Sequence, residues 1–202
     1  MLTFSKSCCT FAPDYSNIYY RLRIMSNFDE LIMKRRSIRV FDAEHKVSKE
    51  QIEALVKAAI EAPSWNNFQT SRYHVVTSSD VKQQLGETMA AFDTKIASTA
   101  PVLIVTTFVK GHSGFKGGEA VDELGDGWGI YDLGLHNALL LLKAADAGLD
   151  TIVLGLRDAD KIRTLLSIPE EESIVSIIAL GYRAKDGVRP KRKAVEEITK
   201  FY

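Results

Sequence analysis

Cysteine is almost absent: Cys8 and Cys9, side by side near the N-terminus, are the whole complement of a 202-residue chain. An adjacent pair supports neither a disulfide framework nor a zinc site, and such sparing use fits a reducing cytoplasm. Long hydrophobic runs are missing as well. Lys, Asp or Gly interrupts each apolar stretch before the ~18 residues of a membrane-spanning helix, so no membrane role is expected. Net charge is lacking too, since 26 Lys and Arg balance 26 Asp and Glu. No global field draws this chain onto nucleic acid or anionic lipid, and any basic cluster must act locally. No Gly-x-Gly-x-x-Gly sits between a strand and a helix, and neither a Walker loop nor a nucleophile elbow is present. The histidines at 45, 74, 112 and 136 have no metal-ligand spacing.

What remains is one domain's worth of patterned chain, with no linker to divide it. Residues 1–25 read as an N-terminal extension, disordered or not native, with Met25 as an alternative start; residues 26–202 form the domain. Asn27 caps a first helix through Arg35, with Glu30 at the capping-box position, and Ser48 with Gln51 opens a second. Its apolar face is Ile52, Leu55, Val56, Ala59 and Ile60. Strands are expected at Tyr73–Thr77, Pro101–Val109, Thr151–Leu156 and Ile174–Tyr182. A third helix runs from Ser79 to about Phe92. Between 111 and 129 the chain is rich in Gly and acid and reads as a mobile excursion. From Tyr131 to Ala147 a helix is apolar almost all round, which places it at the centre of the protein or in a subunit interface. The alternation argues helices on both sides of a sheet, and Ile198, Phe201 and Tyr202 make the tail too apolar for solvent.

Three features carry candidate chemistry. Lys34-Arg35-Arg36-Ser37-Ile38-Arg39 is either a phosphate cradle, a hydroxyl between guanidinium forks, or a set of cations complementing a helix dipole. Lys95 and the tail cluster Lys191–Lys193 could converge with it on one anion, or lie solvated on the surface. The loop Ser64–Gln69 offers hydroxyl and carboxamide groups with Trp65 and Phe68 for stacking, or is simply a helix end leading into a strand. Trp128 and Tyr131 are pocket walls or packing. On the apolar helix His136 reads as a hydrogen-bonded core residue, while Asp132 and Asn137 are buried polar groups that must find partners.

In order along the chain, Arg35-Arg36-Ser37-Ile38-Arg39-Val40-Phe41, Ala62-Pro63-Ser64, Asn67-Phe68-Gln69, Ala100-Pro101-Val102, Gly148-Leu149-Asp150, Leu154-Gly155, Gly181-Tyr182 and Pro190-Lys191-Arg192-Lys193 resemble the nitroreductase family of FMN-dependent oxidoreductases. The resemblance covers about residues 26 to 202. It implies an α+β fold with a mostly antiparallel central sheet flanked by helices, an intertwined homodimer with a strand lent by the partner's tail, and two interfacial FMN sites. By position it implies that Arg35, Ser37, Lys191 and Lys193 hold the phosphate and that Arg36 lines the ribityl chain. Arg39 and Lys95 would lie near the N1/O2 edge of the ring, with Leu154-Gly155 beside it. Ser64, Trp65 and Asn67, with Gln69 close by, would come from the other subunit.

The same resemblance implies NAD(P)H as donor, a nitroaromatic, quinone or related small acceptor, and ping-pong turnover with flavin N5 carrying the hydride and no catalytic side chain. Cations at N1/O2 would favour the reduced flavin. Alternatives on the same fold are a flavin-dependent dehalogenase or flavin-consuming enzyme, and a non-enzymatic flavin-binding protein. The chain departs from many relatives at Gln69-Thr70-Ser71-Arg72, where they have Gln-Pro-Trp, and in its short, Gly-rich 110–130 region. Both departures leave the acceptor open.

Overall fold

β-Branched residues from Val102 onward set the centre of the fold. The computed structural model describes residues 27–202; the expected extension at 1–25, with both cysteines and Met25, lies outside the described residues. Among the described residues the order is α1 (Asn27–Lys34), α2 (Lys49–Ala59), a 3-10 turn (Trp65–Asn67), β1 (Ser71–Val76), α3 (Ser79–Glu87), α4 (Ala91–Ala97), β2 (Val102–Val109), β3 (Phe115–Lys116), β4 (Glu119–Ala120), α5 (Gly127–Asp146), β5 (Asp150–Leu154), α6 (Ala159–Leu166), β6 (Glu172–Gly181) and a 3-10 turn (Val195–Glu197). The main sheet has the order β1-β2-β6-β5, antiparallel throughout, and β3-β4 is a separate small hairpin.

Alternation along the two central strands builds two cores, because successive side chains point to opposite faces. Leu103, Val105, Ile177 and Ala179 pack with Leu85 of α3, Ile96 of α4 and Ile162 of α6. Val102, Ile104, Ile178 and Leu180 pack with Ile52, Leu55 and Ala59 of α2 and with Leu140 and Ala144 of α5. Helices therefore cover both faces of an antiparallel sheet, the α+β architecture expected.

Several boundaries differ from the sequence reading, each for a physical reason. Asn27 is the first residue of α1 and not its cap. In α2 the capping box forms as expected, with Ser48 and Gln51 exchanging bonds of 3.2 and 2.9 Å, but Ile60 falls at the C-cap and is exposed. The third helix breaks in two. Ala90 N–H donates to the Leu156 carbonyl and Asp158 N–H to that of Thr88, so pairing with the segment after β5 outcompetes helix continuation at 88–90. α5 begins at Gly127, four residues earlier than Tyr131, where Gly129 meets β2. A Cβ at Gly129 would sit 2.3 Å from the Phe108 ring, so glycine permits the close approach. The apolar tail residues Val195, Ile198, Phe201 and Tyr202 are all exposed in the single chain, which leaves the expected packing of the tail on a second subunit untested.

A buried polar cluster joins three strands at one end of the sheet. Glu172, 8% exposed, accepts bonds from the Thr107 hydroxyl and from His74 Nε2, the latter at 2.7 Å. Burial pushes the Glu172 carboxyl upward, but the bonds from Thr107 and His74 and the charges of His74 and Arg72 outweigh it and hold it below the ordinary glutamate value. A depressed folded-state value contributes stability above the unfolded value that is lost as pH falls through the folded one. Glu172→Gln is expected to lower stability by about 1–3 kcal/mol at pH 7. Urea unfolding of both proteins at neutral and acid pH checks this: the gap should narrow below the ordinary glutamate value of 4.5, and a gap independent of pH would contradict it.

Candidate functional site

The basic run is not a helix end alone. α1 closes with the Arg35 N–H on the Leu31 carbonyl at 2.9 Å, and the chain then runs extended along the outer edge of β5. Ser37 bridges Thr151 in parallel, Ile38 N–H donates to the Thr151 carbonyl at 3.1 Å, and the fully buried Ile38 side chain anchors the segment. Asp42 N–H donates to the Tyr182 carbonyl and Ala184 N–H to that of Val40, so the start of the tail lies against the same segment. Asp150, nearly buried, fixes this crossing by accepting from Arg183 Nε at 2.9 Å and Nη2 at 2.6 Å. The bidentate geometry is the strong form of an ion pair.

This crossing leaves a cleft of about 190 Å³ lined by Arg35, Arg36, Ser37, Arg39, Val188, Pro190 and Arg192. Desolvation and then the charges of Arg189, Arg35, Arg192 and Arg183 push the Arg36 guanidinium below the ordinary arginine value. Positive charge is thus concentrated here in a chain whose net charge is zero. The tail supplies Arg192 to the cleft wall; Lys191 and Lys193 are exposed and do not line it. Leu154 is buried at the far end of β5, with Gly155 exposed just beyond. Lys95 is exposed on α4; Thr99, two residues beyond that helix, accepts from the Phe41 N–H at 3.2 Å and so ties its end to the basic segment.

The loop Ser64–Gln69 stands elsewhere. It leads into β1, and three of its residues hold left-handed backbone: Asn66 at φ 44, Asn67 at 57 and Gln69 at 51. Such a run of non-glycine residues persists only where the surroundings over-determine it. Ser64 Oγ accepts from the Gln69 N–H at 3.0 Å, and Arg72 Nη1 donates to the Gln69 carbonyl at 2.8 Å. The Trp65 N–H is shared between both carboxylate oxygens of Asp132 at 3.1 and 3.0 Å. Trp65 packs on Trp128 with ring centroids 4.7 Å apart, and Trp128 meets Tyr131 edge-on at 5.8 Å. Tyr131 is 60% exposed, whereas His136 is buried with Nδ1 at 2.8 Å from the Asp132 carbonyl, the core histidine expected.

The candidates therefore sort into two groups at opposite corners of the sheet. The loop enters at Ser71, opposite Phe108 and hence at the Ser173 end of β6; the basic segment meets β5 near Asp150, opposite Gly181. Three strand spacings separate them across the sheet, about 14 Å, and most of the length of β2 separates them along it, about 20 Å. No hydrogen bond joins the two groups among the described residues, and the cleft lined by Arg35 and Ser37 includes none of Ser64 to Gln69. Sequence reasoning missed the place of Arg192 in the cleft wall, hidden among equivalent cations, and the partners of Asp132, although a buried carboxylate on an apolar helix signalled that partners existed.

The Nitroreductase family model matches residues 32–182. Iodotyrosine deiodinase 1 of Mus musculus is 28% identical over 198 residues, spanning 85% of this chain and 68% of that protein. The oxygen-insensitive NADPH nitroreductase of Helicobacter acinonychis (strain Sheeba) is 24% identical over 192 residues, 81% of this chain and 91% of that one. A structure from Exiguobacterium sibiricum 255-15, solved in complex with FMN, superposes with a TM-score of 0.78 at 23% identity and covers 88% of this chain and 98% of its own. With a family model spanning the sheet, both helical layers and the basic segment, the chain belongs to the nitroreductase family.

Proposed function

We propose that the protein is an FMN-dependent oxidoreductase that takes electrons from NAD(P)H and passes them to a nitroaromatic, a quinone or a related small acceptor. The observation that carries this reading is the arginine-lined cleft beside β5. Its guanidinium groups and the Ser37 hydroxyl suit a phosphate monoester. At about 190 Å³ the cleft is smaller than the roughly 300 Å³ at which pockets for whole small ligands begin, so it suits the phosphate end and leaves the ring outside. Bound flavin supplies the two-electron chemistry at N5. Arg35, Arg36 and Ser37 hold the phosphate side, with Arg192 in the place first given to Lys191 and Lys193. Arg39 and Lys95 supply positive charge near the ring edge, and Leu154-Gly155 forms its floor.

The second half of the site comes from a second copy of the chain. A single subunit keeps Ser64, Trp65, Asn67 and Gln69 some 20 Å or more from the arginines by strand geometry, and a homodimer brings one group to the other. Two unsatisfied surfaces support it: the exposed apolar tail, and a groove of about 680 Å³ between α2 and the open edge of β1, lined by Val47, Ile52, Val56 and Val75. An edge strand with free N–H and C=O groups accepts another strand readily. A second reading, reductive removal of halide from an aromatic ring, is favoured by the 28% identity to the mouse deiodinase. Trp128 and Tyr131 would wall either acceptor's pocket.

The purified full chain is expected to bind FMN, to lose flavin absorbance anaerobically on adding NADH or NADPH, and to recover it with a nitroaromatic or quinone; recovery only with a halophenol, with halide release, selects the second reading. A protein that is colourless once excess FMN has been removed, and that binds none in a fluorescence titration, would overturn both. The double variant Arg36→Ala/Arg192→Ala should weaken FMN about 10- to 100-fold, the loss of one or two charge-assisted bonds, and leave riboflavin, which has no phosphate, nearly unchanged in fluorescence titrations. Deleting residues 195–202 should convert a dimer into a monomer by light scattering and abolish flavin retention; a truncated chain that stays dimeric counts against the tail's role.

A further inference from the structure

Asp132 sits where three segments meet. It is 2% exposed on the second turn of α5, and no cation pairs with it among the described residues: there its carboxylate accepts the Trp65 N–H, on both oxygens, and the Ser113 hydroxyl at 2.7 Å. Ser113, itself 1% exposed, lies 3.4 Å from the hydroxyl of buried Thr70. One carboxylate thus ties the strained loop 64–70 to the Gly-rich excursion that follows β2. A second tie runs in parallel. Trp128 packs on Trp65 with the rings tilted by 51° and donates its indole N–H to Asp122 of the same excursion at 2.9 and 3.0 Å. Gly114 completes the junction, since a Cβ there would fall 2.6 Å from the Trp128 ring and 2.5 Å from the Gly125 carbonyl.

We propose that Asp132 is a positioning residue that locks the 64–70 loop and the 111–126 excursion into one unit, so that the left-handed loop and its aromatic wall reach the flavin as a preformed surface. The hydrogen bonds carry the lock by themselves; its consequence for flavin affinity rests on the reading of Ser64–Gln69 as part of the flavin site. A buried carboxylate spends its desolvation only where it accepts several bonds, and here the bonds restrain a backbone that would otherwise relax. No residue of the excursion belongs to either core cluster and it has no long element, so the tie gives it a fixed place.

The chain's two tryptophans, Trp65 and Trp128, are both at this junction, so near-ultraviolet circular dichroism reads it directly. In Asp132→Asn one amide position must face the Trp65 N–H whichever way the amide is turned, because that N–H spans both oxygens. The variant is expected to keep its far-ultraviolet spectrum, to lose at least half of the paired-tryptophan signal, and to bind FMN about tenfold more weakly. Ser113→Ala, which removes one of the bonds and no backbone contact, should do the same in smaller measure. If Asp132→Asn does not fold, Ser113→Ala decides alone. Variants that fold with the wild-type tryptophan signal, or that lose it while FMN affinity stays within twofold, overturn the proposal. Should the wild-type chain bind no FMN, the flavin reading fails, and the tryptophan signal of the variants still decides whether the lock exists.

Discussion

The pairing of β2 with β6 is the constraint on which the rest of the structure depends. Both strands are covered on both faces, so their register is fixed twice over: a slip of one residue would exchange the two cores. That register decides which ends of β1 and β5 lie at which corner. The loop before β1 is held at one corner and the arginine segment at the other, and no rearrangement of side chains brings them together. A site built from both sets of residues is therefore a property of an assembly, and the edges of the sheet are where assembly is cheapest, since β1 leaves its outer hydrogen-bonding groups free.

The arginine corner shows how a neutral chain concentrates charge. Cations at a helix C-terminus gain from the dipole only within its last turn, and Lys34 alone is in that turn, paired with Glu30. Arg35 to Arg39 lie beyond it, on extended chain, where alternation sends Ile38 into the core and leaves Ser37 and its neighbours on the cleft. The Asp150–Arg183 pair then folds the tail back, adding Arg192 and Arg189 to like charges already present. Repulsion of that kind raises the free energy of the corner without a ligand, and an anion that neutralises it recovers that energy on binding. The dipole explanation, sufficient for the sequence motif, does not account for the convergence of a second chain segment on it.

Much of the fold was legible because periodicity reports burial directly. The capping box at Ser48 and Gln51, the buried run from Val102 and the apolar helix through Leu140 each depend on residues a few positions apart, and each forms, the helix with an earlier start. The misplaced boundaries share a different cause. The helix expected through Phe92 breaks at Thr88 because its backbone pairs with residues near Arg157, and α5 starts at Gly127 because Gly129 fits against Phe108. Contacts between residues far apart in the chain leave no local period. The candidate site divides in the same way: the Arg35–Arg39 and Ser64–Gln69 segments were visible as residue types, while the choice of Arg192 over its neighbours depends on a crossing that local sequence does not encode.

Loop strain makes the final link between fold and site. Asn66, Asn67 and Gln69 occupy a backbone region that costs on the order of 1 kcal/mol or more per residue, and asparagine bears it best because its side chain tolerates the left-handed region. Were the loop free, it would relax and scatter the side chains of Ser64 and Asn67 over many positions. Asp132 and Trp128, both on α5, and the Arg72 bond to the Gln69 carbonyl from β1 each oppose that relaxation. The ordering cost is thus met within the folded chain before any ligand arrives, and a ligand that reaches this surface retains more of its contact energy as affinity. The buried carboxylate and the strained loop explain one another: the Trp65 N–H of the loop gives Asp132 a partner on both oxygens, and Asp132 holds that loop against the helix that carries it.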